Sequence, residues 1–219
     1  MMTYKTLIAA LMGLLAMLIA CNAPQKADKQ AKSNMTESTA LRFHAELSGY
    51  VDNLIKQFSE IPDKRKTKLE EIAAYVRQQK ADGESAQLTF ICTHNSRRSH
   101  MSQVWAMTAA HHYGIGDQFR SYSGGTEATA FNENAIAALE RAGFQINNPG
   151  GKNPHVMLSA GNQVPEMECF SKTYDDIFNP ASDFAAVMTC SDADKNCPIV
   201  PGAEERFSIP YVDPKVSDG

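Results

Sequence analysis

The sequence predicts an α/β fold: a parallel sheet of about four strands flanked by helices, with an N-terminal helical extension. Three features of the sequence point there. Short apolar runs, QLTFI and FAAVMT, have strand character; segments of helical spacing separate them; and a polar loop, CTHNSRRS, joins the first run to a long helical pattern. The 219 residues, 43% hydrophobic and 21% charged with a formal net charge of -4, suit one ordinary globular domain with appendages. Arg97 and Arg98 are adjacent but too few to make a basic stripe, so nucleic acid is not an expected partner.

Four segments follow in order. Residues 1–20 open with a positive charge and then run TLIAALMGLLAMLIA without one, shorter than the about 20 apolar residues a spanning helix needs and suited to a signal-peptide core. The run closes on LIAC, which resembles the bacterial lipobox, so Cys21 is the expected lipidation site; a plain secretory signal is the alternative. Asn22, in place of Asp, implies no retention at the inner membrane. The expected location is therefore the cell envelope, anchored by lipid on the periplasmic side, with the outer membrane as a destination. Residues 21–40 are polar and read as a flexible tether. Residues 41–82 carry two amphipathic patterns, 43–58 and 63–80, expected to pack as a helical hairpin. Residues 83–219 form the expected catalytic domain, with strands at 87–91, 119–123, 184–189 and 206–210, a weaker one at 155–159, and helices at 99–113 and 132–142.

The loop after QLTFI carries the chemistry. A loop between a strand's carboxyl end and a helix's amino end turns backbone N–H groups and the positive end of the helix dipole into one concavity, an anion cradle. Such a cradle favours a thiolate, the nucleophilic form of cysteine, at Cys92. Arg98 offers a planar fork of donors matched to a tetrahedral oxyanion, Ser99 can hydrogen-bond the sulfur, and Asn95 tolerates the left-handed conformation of a tight loop. A buried cysteine beside a surface arginine is the plainer alternative.

FICTHNSRRSH resembles the active-site loop of the low-molecular-weight protein tyrosine phosphatase superfamily, including its thioredoxin-coupled arsenate reductase branch. The resemblance runs from about residue 87 to 214 and takes in SYSGGTEATAFNENAIAALERAGF. It implies that Cys92 is the nucleophile, Arg98 the oxyanion clamp, Ser99 the thiolate partner and Asn95 the loop stabiliser, with Thr93, His94, Ser96 and Arg97 completing the oxyanion loop. His94 stands where the family usually has Gly, and Arg97 where a second loop cysteine is common. The same likeness makes Asp213, in an Asp-Pro dipeptide, the general acid of a phosphatase. It also implies that CSDADKNCP supplies Cys190 and Cys197 for an arsenate reductase relay, Cys190 attacking the Cys92–arsenic adduct and Cys197 taking over the disulfide.

Two chemistries remain open, with a third class behind them. The first is arsenate reduction, needing no bound cofactor but an external, thioredoxin-like thiol reductant, which for an exported protein must itself be exported. The second is hydrolysis of phosphotyrosine or a small phosphate ester through a Cys92 thiophosphate. The third is a non-catalytic oxyanion-binding lipoprotein. A structural disulfide between Cys190 and Cys197 competes with the relay in an oxidising compartment. Cys169 reads as packing, and the histidines do not have metal-site spacing, so no metal is expected. The family usually continues into a C-terminal helix after the Asp-Pro dipeptide. That helix is expected to be missing here, which would leave a sheet face uncovered and Asp213 in a poorly held tail.

Overall fold

The computed structural model describes residues 42–218. The signal, lipobox and tether readings, Cys21 included, lie outside the described residues. Four strands, β1 (Ala86–Cys92), β2 (Phe119–Gly125), β6 (Phe184–Met188) and β7 (Ala203–Ser208), form one parallel sheet in the order β2-β1-β6-β7. β1 and β6 are central and buried almost throughout, as near-continuous apolar strands of a parallel sheet should be. β7 closes the sheet with exposed Glu204 and Glu205, charges that discourage edge pairing with another chain.

Alternation along the strands assigns each face. Leu88, Phe90, Ala185 and Val187 enter the large core, whereas Ile91, Phe184, Ala186 and Met188 enter a smaller cluster with Cys92, Cys190, Ala193 and Val200. Against the first face lie α2 (Asp63–Ala81) and α3 (Arg98–His112), and α1 (Ala45–Ile55) adds Leu47, Val51 and Leu54 to the same core. α3 is buried along most of its length and packs on β1 and β2 through Met101, Val104 and Trp105.

The two N-terminal helices do not pair lengthwise as the expected hairpin; each docks on the domain. Tyr50 of α1 stacks on Trp105 with ring centroids 5.6 Å apart. Gly143, just past α4 (Glu133–Arg141), has φ +102 and would place a Cβ 2.3 Å from the Leu47 nitrogen, so glycine there admits α1 to close approach. α2 lies on β1 and β7: Leu69, Ile72, Ala73 and Val76 join the core, Tyr75 meets Phe207 edge to face, and the Tyr75 hydroxyl donates to Glu204 at 3.0 Å. The sheet face expected to be bare is thus covered by α2. That helix also holds the segment after β7, since Arg65 donates to the Pro210 carbonyl at 2.8 Å and lies over the Tyr211 ring.

Two strands differ from expectation. β7 runs from Ala203, earlier than the predicted 206–210. The weaker strand, β4 (Val156–Ser159), is not in the parallel sheet. It pairs antiparallel with β3 (Gln145–Asn147) and β5 (Met167–Cys169) in a separate three-stranded sheet. The connections among these three strands are plain loops, and antiparallel pairing tolerates that where parallel pairing needs a crossover. Cys169, at the end of β5, is fully buried, and burial pushes its thiol up to about 12, as befits a packing residue.

Candidate active site

β1 ends at Cys92 and α3 begins at Arg98, so the first-turn amides and positive dipole end of α3 face the loop between them. Asn95 stands at φ 43, in the left-handed region, and is wholly buried. Its amide group is used at both ends: Nδ2 donates to Ser99 Oγ at 2.8 Å, and Oδ1 accepts from the Lys172 backbone N–H at 2.9 Å. Ser99 Oγ lies 3.1 Å from Cys92 Sγ. Because the serine oxygen accepts from Asn95, its own proton is free to point at the sulfur.

A second segment buttresses the loop from outside. Ser171 Oγ donates to the His94 carbonyl at 3.0 Å, Gly125 N–H to the Lys172 carbonyl at 2.9 Å, and Thr126 N–H to the Cys92 carbonyl at 3.1 Å. A Cβ at Gly125 would stand 2.3 Å from the Glu127 carbonyl oxygen and 2.7 Å from that of Thr93, so the turn after β2 needs glycine to reach the loop. Neither Ser171 nor Lys172 shows any period or motif in the sequence. The Gly124-Gly125 pair was the readable sign of a close backbone approach.

Cys92, His94, Ser96, Arg97, Arg98 and Asp213 line one small pocket. Arg98 is buried, and its Nη2 donates to Asp213 Oδ2 at 2.8 Å while Nη1 donates to the Tyr211 carbonyl at 3.1 Å. Asp213 also caps the short turn Pro214–Ser217, accepting from the Lys215 N–H at 3.0 Å. The poorly held tail expected around Asp213 is therefore corrected: Arg98 and the cap fix it at the pocket mouth. The two unusual loop residues are both paired. His94 Nε2 meets Glu127 at 3.0 Å on the exposed rim, and Arg97 bonds Asp218, which also accepts from Asn134 at 2.9 Å. Arg97 is thus neither a free second cation in the pocket nor a solvated one.

The relay candidates approach from the neighbouring strand. Ile91 is in register with Met188, and Thr189 N–H donates to the Ile91 carbonyl at 2.8 Å, so the chain leaving β6 emerges alongside the chain leaving β1. Cys190 is buried in the same apolar cluster as Cys92, and Thr93 Oγ1 lies 3.4 Å from its Sγ. Cys190 also caps α5 (Ser191–Asn196), taking the Ala193 N–H at 3.4 Å. Cys197 follows α5, partly exposed at the edge of that cluster. Burial pushes its thiol up, the charge of Arg206 opposes this, and Cys190 adds to it. All four described cysteines are free thiols.

Residues 87–154 match the model of the low molecular weight phosphotyrosine protein phosphatase family. Arsenate reductase 2 of Staphylococcus epidermidis is 34% identical over 125 residues, 57% of this chain and 76% of its own length. Arsenate reductase of Bacillus subtilis is 31% identical over 130 residues, 59% of this chain and 75% of its own. A solved structure, the thioredoxin-dependent arsenate reductase of Corynebacterium glutamicum, superposes over 93% of this chain and 83% of its own at 18% identity and TM-score 0.34, too loose a likeness to bear on fold or chemistry. With a cysteine-to-arginine loop at the strand–helix junction, and with relatives that align over three quarters of their length, the chain belongs to the low-molecular-weight phosphotyrosine protein phosphatase family, on its arsenate reductase branch.

Proposed function

We infer that the chain reduces arsenate to arsenite through a three-cysteine relay. Cys92 thiolate attacks arsenic(V), an As–S bond forms, and an oxygen leaves as hydroxide or water. Cys190 then attacks Cys92 Sγ. The new S–S bond forms, the As–S electron pair stays on arsenic, and arsenite departs as arsenic(III). Cys197 attacks Cys190 Sγ and expels Cys92 as thiolate, leaving a Cys190–Cys197 disulfide. Two thiols have been oxidised and one arsenic reduced, so the balance needs no bound cofactor, only an external dithiol to restore the pair.

The observation that carries this reading is the emergence of Cys190 beside Cys92, with the Thr93 hydroxyl 3.4 Å from its sulfur. Ester hydrolysis needs no such residue. Arg98, with its fork at the pocket, supplies the charge that binds the oxyanion. The partial exposure of Cys197 suits attack by a thioredoxin-like reductant. The uncharged run of residues 6–20 and the LIAC motif support export and a lipid anchor at Cys21, and an enzyme so anchored needs a thiol donor in the same envelope compartment. Asp213 at the pocket mouth favours a second reading, hydrolysis of a phosphate ester with Asp213 as acid and then base.

Substitution separates the two. With a dithiol reductant, Cys190→Ser abolishes arsenate turnover in the relay, and turnover that survives sinks it. In the ester reaction, Cys92→Ser abolishes phosphate release from an aryl phosphate while Cys190→Ser leaves it near normal.

A further inference from the structure

Arg206 has no place in the anion cradle, yet it is the best-connected side chain near the relay. From β7 its Nε donates to the Cys197 carbonyl at 3.1 Å, and its Nη2 donates both to the Asp194 carbonyl at 2.7 Å and to Asp194 Oδ1 at 2.6 Å. Ser208, two residues on along β7, donates to Asp194 Oδ2 at 2.7 Å, so both carboxylate oxygens are held from the same strand. The last turn of α5 and the residue that ends it are fastened to the sheet. A guanidinium fork suits this arrangement, because one planar group meets two carbonyls and a carboxylate at once.

The consequence follows from helix geometry. Cys190 caps α5 and Cys197 follows its last residue, with the Cys197 N–H donating to the Ala193 carbonyl at 2.9 Å. At about 1.5 Å rise per residue, helical backbone puts their Cα atoms roughly 10 Å apart. A disulfide requires a Cα separation of about 4.4–6.8 Å. The pair therefore cannot close while α5 is intact and clamped.

We propose that Arg206 is a positioning residue of the relay: through Asp194 and the Cys197 carbonyl it holds Cys197 out of reach of Cys190 in the dithiol state, so that Cys190 stays free to attack the Cys92 adduct. The inference rests on the relay reading. Without the clamp, an external disulfide oxidant of the envelope compartment would exchange with Cys190 and Cys197, taking their two electrons as its own two thiols and leaving the pair closed, so the thiol that must attack Cys92 would be gone before arsenate arrives. In the working order, Cys197 attacks Cys190 Sγ only when that sulfur is bonded to Cys92. The new S–S bond forms, Cys92 leaves as thiolate, and the electron count closes within the three cysteines.

The clamp exists only in the dithiol form, so it raises the reduction potential of the Cys190–Cys197 pair. A purely structural role, equal in both redox forms, would not. The test equilibrates the full chain in a Cys92→Ser background with glutathione redox buffers at fixed pH, and reads the pair by alkylation and peptide mass. Arg206→Gln is expected to favour the disulfide about tenfold, a shift of about 30 mV toward more negative potential. Arg206→Lys, a point charge without the fork, is expected to fall between the two. Asp194→Asn shifts the same way, and the Arg206→Gln/Asp194→Asn double variant adds less than the sum. Ser208→Ala, the mildest change, gives a smaller shift of the same sign if Arg206→Gln does not fold. An unchanged potential in the folded variants overturns the clamp and leaves the relay standing. Arsenate turnover that survives Cys190→Ser overturns the relay whatever the potential reads.

Discussion

Arg98 donates to Asp213 at 2.8 Å across the mouth of the pocket, so the oxyanion clamp and the acid candidate neutralise one another at rest. An incoming oxyanion competes with the Asp213 carboxylate for the same guanidinium and meets its negative charge at close range. Asp213→Asn is therefore expected to tighten phosphate binding about tenfold, roughly 1.4 kcal/mol, read as a lower inhibition constant. The same variant loses the proton donor of ester cleavage, so aryl phosphate hydrolysis is expected to fall about 10²–10⁴-fold. If phosphate binding weakens instead, Asp213 does not compete for Arg98.

The loop's shape depends on Asn95 more than on any other side chain in it. Asn95→Ala strands the buried Lys172 N–H, at a cost of about 1–3 kcal/mol, and removes the donor that orients Ser99 Oγ toward Cys92. Asn95→Asp keeps the acceptor for Lys172, loses the donor to Ser99 and puts a carboxylate at a wholly buried position. Denaturant midpoints and the rate of Cys92 alkylation measure the effects: both variants should slow alkylation at neutral pH and both should lose stability, Asn95→Ala through the stranded Lys172 N–H and Asn95→Asp through the buried carboxylate. Undiminished stability and alkylation rate in Asn95→Ala would show that the loop does not depend on Asn95.

Gly125→Ala tests the buttress from the other side. The added methyl would meet three backbone atoms, those of Glu127, Thr93 and Asn95, at 2.3–2.8 Å, and backbone cannot swing aside as a side chain can. A loss of about 1–3 kcal/mol or more is expected, with weakened phosphate affinity because the loop itself must shift. Normal affinity in a stable Gly125→Ala protein would mean that the turn moves without disturbing the loop.

The sequence made the strand–loop–helix unit legible because its signals are local: a buried run ending at Cys92, an Asn suited to positive φ, and a helical pattern straight after. The amphipathic pattern of α2 was equally plain, but nothing in it says which surface the apolar stripe meets. That depends on the order β1-β6-β7, which leaves room beside α3. Sheet order likewise brings Cys190 to Cys92, and no spacing of residues encodes it. Arg206 reads along the chain as an ordinary edge-strand charge, and Ser171 and Lys172 as loop residues. Their roles exist only where separate segments converge. The strand at 155–159 was visible, but its partner strands, three residues each, are too short to show a period.

α2 supplies cover for the sheet rather than chemistry, and that division is measurable. Leu69→Ala or Ile72→Ala removes fully buried volume between α2 and the sheet and is expected to cost about 2–5 kcal/mol in urea unfolding. Phosphate affinity of the folded variant should stay unchanged, since neither residue lines the pocket. A change in affinity without loss of stability would tie α2 to the site itself.

His100 ties stability to pH. It is wholly buried, stacks on Phe131 at 4.1 Å, and its Nε2 lies 3.1 Å from the Phe170 carbonyl, which fits a neutral ring donating there. Burial, reinforced by the charge of Lys172, lowers it from 6.5 to about 3. In the unfolded chain the ring takes its proton near pH 6.5, whereas in the folded one it stays neutral until about pH 3. The stabilisation is thus complete above pH 6.5 and is lost as pH falls from there toward 3. At pH 5, about 1.5 units into that window, the loss from this one group is about 2 kcal/mol. His100→Gln keeps an N–H for the Phe170 carbonyl and cannot titrate. Whatever it costs at pH 7, the stability difference from the parent should move about 2 kcal/mol in its favour by pH 5, because every other titrating group cancels in the comparison. Paired urea titrations at the two pH values measure that difference, and a constant one would show that His100 takes up a proton in the folded state.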